Sequence, residues 1–378
     1  MLERINLAIG HIRLDKLLPS HLIAFYNNLG EAGRVKNNFA VINPAMVDFK
    51  KAQKLPYTRI SGQANVADKT VKKAFEGGKM DPEVAKKIAA ALGFSYAEAF
   101  ESVKNEEKLS GATLNRYHRL ISSILQAAVE WQVIESNPAR RVKAPKVSHT
   151  EAAYLEDDAV SRLVEALQGV PIKWKTIVLL LLYSGIRRGE LCGLEWRDID
   201  FGKKLISIKR TSQYIEGLGI IEKSPKNKSS ERVMKLPDYI FDVLKQYKAW
   251  QNSERLKVGD YWHDIVEIKF ADGSTETRKN ERLFTQINGL PIDPNSVTRW
   301  VKKFQTANDL PKFTPHTLRH TNISMLIAAN VPIRNIAQRA GHAKLSTTQD
   351  IYAHAFKKVD GMAADALANA IDPKARRN

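Results

Sequence analysis

Five side chains in the second half of the sequence are suited to act together on one phosphate group. They lie in four short motifs and are Arg187, His316, Arg319, His342 and Tyr352. Two guanidinium groups match phosphate oxygens and stabilise the charge that gathers on the non-bridging oxygens during attack. A tyrosine hydroxyl can be a covalent nucleophile. The set therefore predicts attack by Tyr352 on a phosphodiester.

This chemistry also requires proton transfer, because the ordinary pKa of tyrosine is about 10. His316 and His342 are the candidates that assist Tyr352. Lys226 lies in a turn between two predicted strands and is the candidate that protonates the leaving oxygen. Lys223 and Lys228 lie in the same segment and are alternatives to Lys226 as this proton donor.

Each motif also has an ordinary structural explanation when it is considered alone. Glu190 follows Arg187 by three residues and is expected to orient that arginine, although such pairs are usually surface ion pairs. Tyr352 alone could be a buried aromatic residue. His316 and His320 have the spacing of a zinc metalloprotease helix, but the residue after His316 is threonine and no third ligand is evident. We therefore predict no metal site, and the order of the four motifs favours catalysis.

Composition limits the classes of protein that fit the chain. Its 378 residues suggest two or three domains, and 43% apolar residues suffice for real cores. The formal net charge of +18 favours nucleic acid as a partner, although a solvated lysine surface is the alternative. No apolar run reaches membrane-spanning length. Cys192 is the single cysteine, so the chain has no internal disulfide and fits a reducing bacterial cytoplasm.

The elements that position the candidate site start near Tyr154. Ile177 to Tyr183 predicts a buried helix directly before Arg187. Residues 199–236 predict three short strands, and residues 260–281 predict a hairpin that turns at Asp272-Gly273. The pattern is helical again from residue 293 onward.

The first 153 residues predict helices and a basic connection. One helix runs from Ser20 to Leu29, and a second is capped by Ser110 and has an apolar face that includes Ile124 and Trp131. Residues 139–152 predict an extended basic linker. The polar face of the second helix and the linker are either a DNA contact or a solvated surface. Their candidate DNA-binding residues are Thr113, Asn115, Arg116, His118, Arg119, Arg140, Arg141 and Lys143.

Residues 43–101 predict a small helical module. The order is helix, tight turn at Asn65 to Ala67, short helix from Asp68, glycine stop and a helix that opens at Asp81-Pro82. This order resembles the helix-turn-helix domains of phage-repressor-like regulators. The module either touches DNA, or it is a protein contact or a spacer. The candidate DNA-binding residues are Lys69, Thr70, Lys72 and Lys73.

The four motifs, in this order and at these spacings, resemble the tyrosine recombinase (phage integrase) family. Residues 144–378 carry the likeness to its catalytic domain, with Lys226 in a segment similar to the family's Lys-Thr-x-x-Ser-x-Arg stretch. Residues 10–14, 22–29 and 114–138 are similar to its core-binding domain. Ala-Ala-Tyr-Leu at 152–155 is similar to integrases of conjugative transposons.

The resemblance implies a fold class that is mainly α with a small antiparallel β-sheet (α+β), arranged as a C-shaped clamp on DNA. The expected domains are a core-binding domain at 1–143 that residues 34–107 interrupt, a linker at 144–153, and a catalytic domain at 154–378. Family members usually carry an arm-binding domain upstream. Val359 to Ile371 predicts an amphipathic helix that packs on a neighbouring protomer or, alternatively, on its own domain.

The resemblance also implies a mechanism. Tyr352 forms a 3′-phosphotyrosine, Arg187 and Arg319 hold the phosphate, and Lys226 protonates the leaving oxygen. Two dimers, one on each site, form a homotetramer on double-stranded DNA and exchange strands through a Holliday junction, with a possible accessory excision factor and no cofactor. The alternatives are a DNA-binding regulator that cuts nothing and a type IB topoisomerase-like relaxing enzyme.

Overall fold

The computed structural model describes residues 1–31, 39–103, 108–147, 153–223 and 231–342. The chain divides into two compact units, Met1–His149 and Thr150–Asn378. Each unit has its own core of buried hydrophobic residues.

The first unit is helical apart from two short strands. Its elements in chain order are α1 (Leu2–Ile9), α2 (Pro19–Gly30), β1 (Phe39–Ile42), α3 (Pro44–Ala52), α4 (Tyr57–Ala64), α5 (Asp68–Phe75), α6 (Pro82–Leu92), α7 (Tyr96–Ala99), β2 (Phe100–Val103) and α8 (Gly111–Glu130). Helices α1, α2 and α8 share one core, in which Leu22, Ile121 and Leu125 are buried. The predicted α2 and α8 are confirmed.

Two expectations for α8 were wrong. Ile124 is 43% exposed, because it lies next to the buried Leu125 and its side chain therefore falls outside the apolar stripe. Trp131 is 77% exposed, because it is the C-cap residue and lies beyond the last helical turn.

The linker that the sequence predicted at residues 139–152 begins later in the structure. Pro138–Arg141 forms a 3₁₀ turn, in which the Asn137 side chain accepts a hydrogen bond from the Ala139 N–H at 2.9 Å. The Asn137 amide also donates to the Ser122 carbonyl of α8 at 2.9 Å. Ala139 and Val142 are buried in the core of α1, α2 and α8, so residues 139–142 belong to the helical domain.

The inserted residues form a separate module. Helices α3 to α7 enclose their own core, which includes Ile60, Val71 and Ile88. Strands β1 and β2, which the sequence did not reveal, pair antiparallel and close the module.

The second unit combines seven helices with two small sheets among its described residues. Its elements are α9 (Asp157–Ala166), α10 (Ile172–Ser184), α11 (Arg188–Gly193), β3 (Ile199–Asp200), β4 (Leu205–Ile208), β5 (Thr211–Ile215), β6 (Gly219–Lys223), β7 (Arg232–Lys235), α12 (Asp238–Val258), β8 (Ile265–Phe270), β9 (Thr275–Lys279), α13 (Pro294–Ala307), α14 (Pro315–Ala328) and α15 (Ile333–Ala340). Helix α10 is buried along most of its length and packs against α12 and α14. The mainly helical α+β class is confirmed.

The sheets differ from the expectation in number and in direction. The described part of residues 199–236 contains five strands, because β3 and β5 accompany the three predicted strands, which are β4, β6 and β7. One sheet has the order β3-β4-β7 and the other β5-β6-β8-β9. The predicted hairpin is confirmed as β8 and β9, but β8 also pairs in parallel with β6. No helix in the described ranges is long and apolar enough to cross a membrane.

Candidate active site

The site is built around the C-terminal end of α15. Three guanidinium groups donate hydrogen bonds to three consecutive carbonyl oxygens there. The pairs are Arg232 Nε to Arg339 O at 2.7 Å, Arg319 Nη2 to Ala340 O at 2.6 Å, and Arg187 Nη2 to Gly341 O at 3.1 Å. The last carbonyls of a helix lack intrahelical partners and carry partial negative charge, so cationic donors stabilise them. The structure thereby brings the two predicted arginines onto neighbouring residues.

Two glycines permit this arrangement. Gly341 has φ +67°, and a Cβ there would lie 2.9 Å from Arg232 Nη1. Gly185 ends α10 with φ +64°, and a Cβ there would lie 2.6 Å from Asn322 Oδ1. Because both positions combine a left-handed backbone with close side-chain contact, only glycine fits them without rearrangement. Gly185 O also accepts a hydrogen bond from Arg319 Nη1 at 2.7 Å.

Glu190 joins two of the arginines. Its carboxylate accepts from Arg187 Nη1 at 2.8 Å and from Arg232 Nη2 at 2.7 Å, and the backbone N–H of Arg187 donates to it at 2.9 Å. The side chain is 5% exposed. Burial alone would raise the pKa of Glu190, but the hydrogen bonds and charges of Arg232 and Arg187 lower it below its ordinary value. Glu190 therefore stays ionised and orients Arg187.

The surroundings lower the pKa values of both predicted histidines and favour their neutral forms. Burial lowers the pKa of His316, and the charges of Arg319 and Arg187 lower it further. Burial and the same two arginines lower the pKa of His342 to about 4, with smaller effects of Arg232 and His320. A neutral imidazole can accept a proton, so either histidine is suited to act as a base towards a nearby hydroxyl.

The two arginines differ in how they meet solvent. Arg187 has 42% of its side chain exposed, whereas Arg319 is 1% exposed. A guanidinium carries five N–H donors, so an arginine that holds a carbonyl keeps further donors for a phosphate. Arg187 therefore presents accessible positive charge, and Arg319 adds charge beneath it.

Two predicted catalytic residues, Lys226 and Tyr352, lie outside the described residues, as do Lys228 and the expected helix at 359–371. Lys223 is the last residue of β6. Strand β6 pairs with β5 and β8, whereas β7 on the other side of residue 226 pairs with β4. The described strands on either side of Lys226 therefore belong to different sheets.

Sequence reasoning missed three residues that hold the site together. Arg232 carries the ion pair with Glu190, and Arg339 donates to the carbonyls of Lys235 and Tyr183. Asn322 donates to the Leu182 carbonyl at the end of α10 at 2.8 Å. Only Arg232 had a signal, because it occupies the arginine position of the Lys-Thr-x-x-Ser-x-Arg stretch.

The candidate DNA-binding residues of α8 fall into two groups. Thr113 bonds to the cap residue Ser110, Asn115 donates to the Pro145 carbonyl at 3.1 Å, and His118 bonds to the Tyr26 hydroxyl at 3.2 Å. These three side chains hold the helical domain together. The others are exposed at the surface and are Arg116, Arg119, Arg140, Arg141 and Lys143.

Arg119 and Arg140 line one concavity of about 490 Å³ on the exposed face of α8. Ser122, Ser123 and Gln126 supply hydroxyl and amide groups to the same surface. In the module, Lys69, Lys72 and Lys73 are exposed on α5, and Thr70 is partly buried.

The rings of His316 and His320 lie 4.4 Å apart, edge to face. Across the described ranges, no group of three or more His, Cys, Asp and Glu side chains is placed to hold a metal ion.

Comparisons with known proteins agree with this fold. The model of the phage integrase family matches residues 153–358. Tyrosine recombinase XerC of Thermodesulfovibrio yellowstonii is 30% identical over 354 residues, which cover 92% of this chain and 89% of that protein. The ICEBs1 integrase of Bacillus subtilis is 24% identical over 69% of this chain and 67% of its own length. A XerC-like tyrosine recombinase of Caldanaerobacter subterraneus is 27% identical, and the match covers 66% of that protein, just under two thirds.

A solved structure of the Tn1549 transposon integrase in complex with transposon right end DNA has the same fold, with a TM-score of 0.52 and 20% identity over 82% of this chain and 94% of that one. The fold and the relatives define the class of tyrosine recombinases. Because the family model covers more than half of its length, the chain belongs to the phage integrase family.

Proposed function

We propose that this chain is the site-specific recombinase of a mobile element, and that it cuts and rejoins double-stranded DNA through a covalent bond to Tyr352. One observation carries the proposal: Arg187 and Arg319 are bonded to adjacent carbonyls, directly before His342. A protein that only binds DNA needs no such cluster. The family's integrases of mobile elements, including one solved with transposon DNA, support the choice of substrate.

The reaction balances without a cofactor. The Tyr352 oxygen attacks the phosphorus, its proton passes to His316 or His342, and a 3′-phosphotyrosine bond forms. The bond to the 5′ oxygen breaks, and Lys226 supplies the proton of the resulting 5′-hydroxyl. The phosphoester energy stays in the new bond, so a 5′-hydroxyl of a partner strand can reverse the step without ATP or a metal ion.

The cluster of arginines accounts for the stabilisation of the negative charge that develops on the phosphate. Arg187 and Arg319 stabilise the non-bridging oxygens as the attacking and leaving oxygens share the phosphorus. Glu190 keeps Arg187 in place, and 42% of the Arg187 side chain stays exposed. The exposed arginines of the helical domain, among them Arg119 and Arg140, bind the DNA backbone.

We further propose that two protomers bind each site and that four exchange strands through a Holliday junction, in the bacterial cytoplasm and with a separate accessory factor that controls excision. The domain assignment of 1–143 and 154–378 and the clamp around DNA belong to the same proposal.

The test is a nicked suicide duplex that carries the end of the element, incubated with the full chain and run on a denaturing gel. We expect a protein–DNA band that Tyr352→Phe abolishes and that Tyr239→Phe, an exposed tyrosine of the same unit, retains. Tight binding without a covalent band on a confirmed site would contradict the proposal and favour a regulator. Covalent bands with plasmid relaxation but no joined two-site product would favour a topoisomerase-like enzyme.

A further inference from the structure

Residues 39–103 form a module that closes on itself. Phe39 lies opposite Val103 and Ile42 lies opposite Phe100 in the β1–β2 pair, so the chain enters and leaves the module at adjacent points. The buried residues of the module form a core distinct from that of α1, α2 and α8. The helical domain therefore does not need the module to complete its core, and the module requires a different explanation.

Helices α4 and α5 are joined rigidly. Asn65 ends α4 in the left-handed conformation with φ +50°, and the Val66 N–H donates to the Ser61 carbonyl at 3.1 Å. The Ser61 hydroxyl also bonds to the Asp68 carboxylate at the start of α5. Val71, Ala74 and Phe75 face the core, so the opposite face of α5 points outward in a fixed direction.

The outward face of α5 carries positive charge. Lys69, Lys72 and Lys73 are exposed, and Lys72 alone has an acidic neighbour, Glu76, at 3.7 Å. Within the described part of the chain, Lys69 and Lys73 form no ion pair. The three lysines are therefore available to an anionic partner.

Four carboxylates of the module already have hydrogen-bond or ion-pair partners within the module. Asp68 bonds to Ser61, Asp81 caps α6, Glu83 pairs with Lys86, and Glu98 bonds to Ser95. The outward face of α5 therefore keeps an excess of positive charge, with three exposed lysines and one ion-pair partner, Glu76.

The module also lacks an apolar docking surface. Among described residues 39–103, no large hydrophobic side chain is exposed. Protein partners usually bury an apolar centre with aromatic anchors, whereas DNA binding depends on cationic contacts with phosphates. The exposed lysines of α5 and the lack of an exposed apolar side chain therefore favour a nucleic acid as the partner of this helix.

We propose that α5 of this module binds duplex DNA that flanks the crossover site, as a second DNA contact of the same chain. The inference rests on the proposed function, because that function supplies the crossover site. An α-helix fits the major groove of duplex DNA, where lysines reach phosphates and Thr70 lies at the edge of the exposed face. Residues 103 and 108 are five peptide steps apart, which span at most about 18 Å. The module is therefore tethered within this distance of α8, and the proposal places its DNA contact next to the DNA that the helical domain binds.

The first experiment compares the salt dependence of binding between two triple variants of the full chain. Lys69→Ala, Lys72→Ala and Lys73→Ala together remove the charges of α5. Lys51→Ala, Lys86→Ala and Lys87→Ala together remove the same charge from exposed positions on α3 and α6. The probe is a long labelled duplex with the end of the element and its flanking DNA, and the readout is fluorescence anisotropy over a range of salt concentrations. We expect the α5 variant to lower the slope of log K against log salt by roughly 2 to 3, since each lost phosphate contact is worth about 0.9. Equal slopes for the two variants would overturn the proposal.

The second experiment locates the module on DNA. Cys192 is completely buried and burial raises the pKa of its thiol to about 12, so an iron–EDTA reagent would couple to a new surface cysteine instead. Coupled through Lys69→Cys, the reagent should cut DNA next to the crossover site, and coupled through Lys87→Cys it should cut weakly or not at all. Equal cutting from both positions, or none from Lys69→Cys, would overturn the proposal and indicate a protein contact or spacer.

The same preparations separate the two proposals. A covalent Tyr352 band with unchanged α5 slopes would leave the recombinase and dismiss the second contact. Local cutting from Lys69→Cys without a covalent band would leave a DNA-binding module on a protein that does not cut.

Discussion

The two arginines of the site share a charge but not an environment. Arg319 is buried, and both of its terminal nitrogens donate to backbone carbonyls, one in Gly185 and one in Ala340. Arg187 is more exposed and is shared between Glu190 and Gly341. Replacing Arg319 would therefore disturb the fold and the chemistry together, whereas Arg187 offers a cleaner test of the chemistry.

We predict that Arg187→Gln slows formation of the covalent complex by about 10²- to 10³-fold, the usual loss for one donor to a developing oxyanion. DNA affinity should change little, because many other contacts remain. Single-turnover kinetics on the nicked duplex measures the rate. The control is Arg188→Gln, which removes the same charge from a side chain that bonds to Asn295 and Thr298. Equal slowing by both variants would refute the assignment of Arg187.

A second prediction concerns His342. A phosphate beside a neutral imidazole raises its pKa, so DNA binding should take up protons at pH values between the free and the bound pKa. Since the free pKa is about 4, affinity should rise as the pH falls from neutrality towards that value. Affinities of Tyr352→Phe protein across this range measure the effect, and adding His342→Gln should flatten the dependence. An identical pH dependence with and without His342 would show that the phosphate lies elsewhere.

At the scale of elements, the end of α15 is the point where α11, α14 and β7 meet, because each contributes or borders one arginine that holds a carbonyl there. The pair of Arg232 and Glu190 is a buried ion pair of this junction, with side chains 4% and 5% exposed. Breaking a buried ion pair by removing one partner usually costs about 3 to 5 kcal/mol. Removing Arg232 should cost about the lower figure, because Glu190 keeps Arg187 as a partner.

We therefore predict that Arg232→Met lowers the free energy of unfolding of the second unit by about 3 kcal/mol. The double variant with Glu190→Gln should lose less than the sum of the two single variants, since both single variants break the same ion pair. Urea unfolding followed by tryptophan fluorescence reports on this unit, because only Trp131 of the six tryptophans lies in the first unit. Strictly additive losses would mean that the pair does not couple β7 to α11.

The sequence predicted best those elements that have a long apolar run or a recognisable cap or turn. Helix α10 is apolar and buried from Ile177 to Leu182, Ser110 caps α8, and Asp272-Gly273 turns the β8–β9 hairpin. Strands β1, β2, β3 and β5 were harder, because each has five residues or fewer, and the pairing of distant strands was not predicted. Strand β6, for example, pairs with β8 across more than 40 residues, which no local pattern reveals.

The candidate site was predictable to the extent that its residues lie in motifs. Arg187, His316, Arg319 and His342 lie within such motifs, and the structure brings them together. Asn322 and Arg339 act through carbonyls of α10 and β7, so their partners are backbone atoms that leave no trace in the sequence. Periodicity could not identify them, because a buried polar residue on a helix resembles an interruption of its apolar face.

At the scale of the whole molecule, the described residues contain four buried hydrophobic clusters, two in each unit. Basic residues outnumber acidic residues in both units, so the excess charge of +18 is not confined to one of them. Several such chains repel one another when they assemble on DNA. The DNA phosphates and specific contacts between protomers both offset this repulsion.

The segment from Val359 to Ile371 is the expected source of such a contact, and it lies outside the described residues. Its alanine-rich amphipathic pattern predicts a helix that packs on a neighbouring protomer. Deleting the residues after Lys358 should then weaken the joining of two sites much more than the binding of one, because only the assembly would lose an apolar interface. Gel shifts with a single-site duplex and with two differently labelled site duplexes measure the two steps. Substituting Asp360→Asn and Asp365→Asn, which keeps the apolar positions, should leave both steps intact. Equal loss of both steps on deletion would instead mean that the helix completes the fold of its own domain, and the contacts between protomers would have to lie elsewhere in the chain.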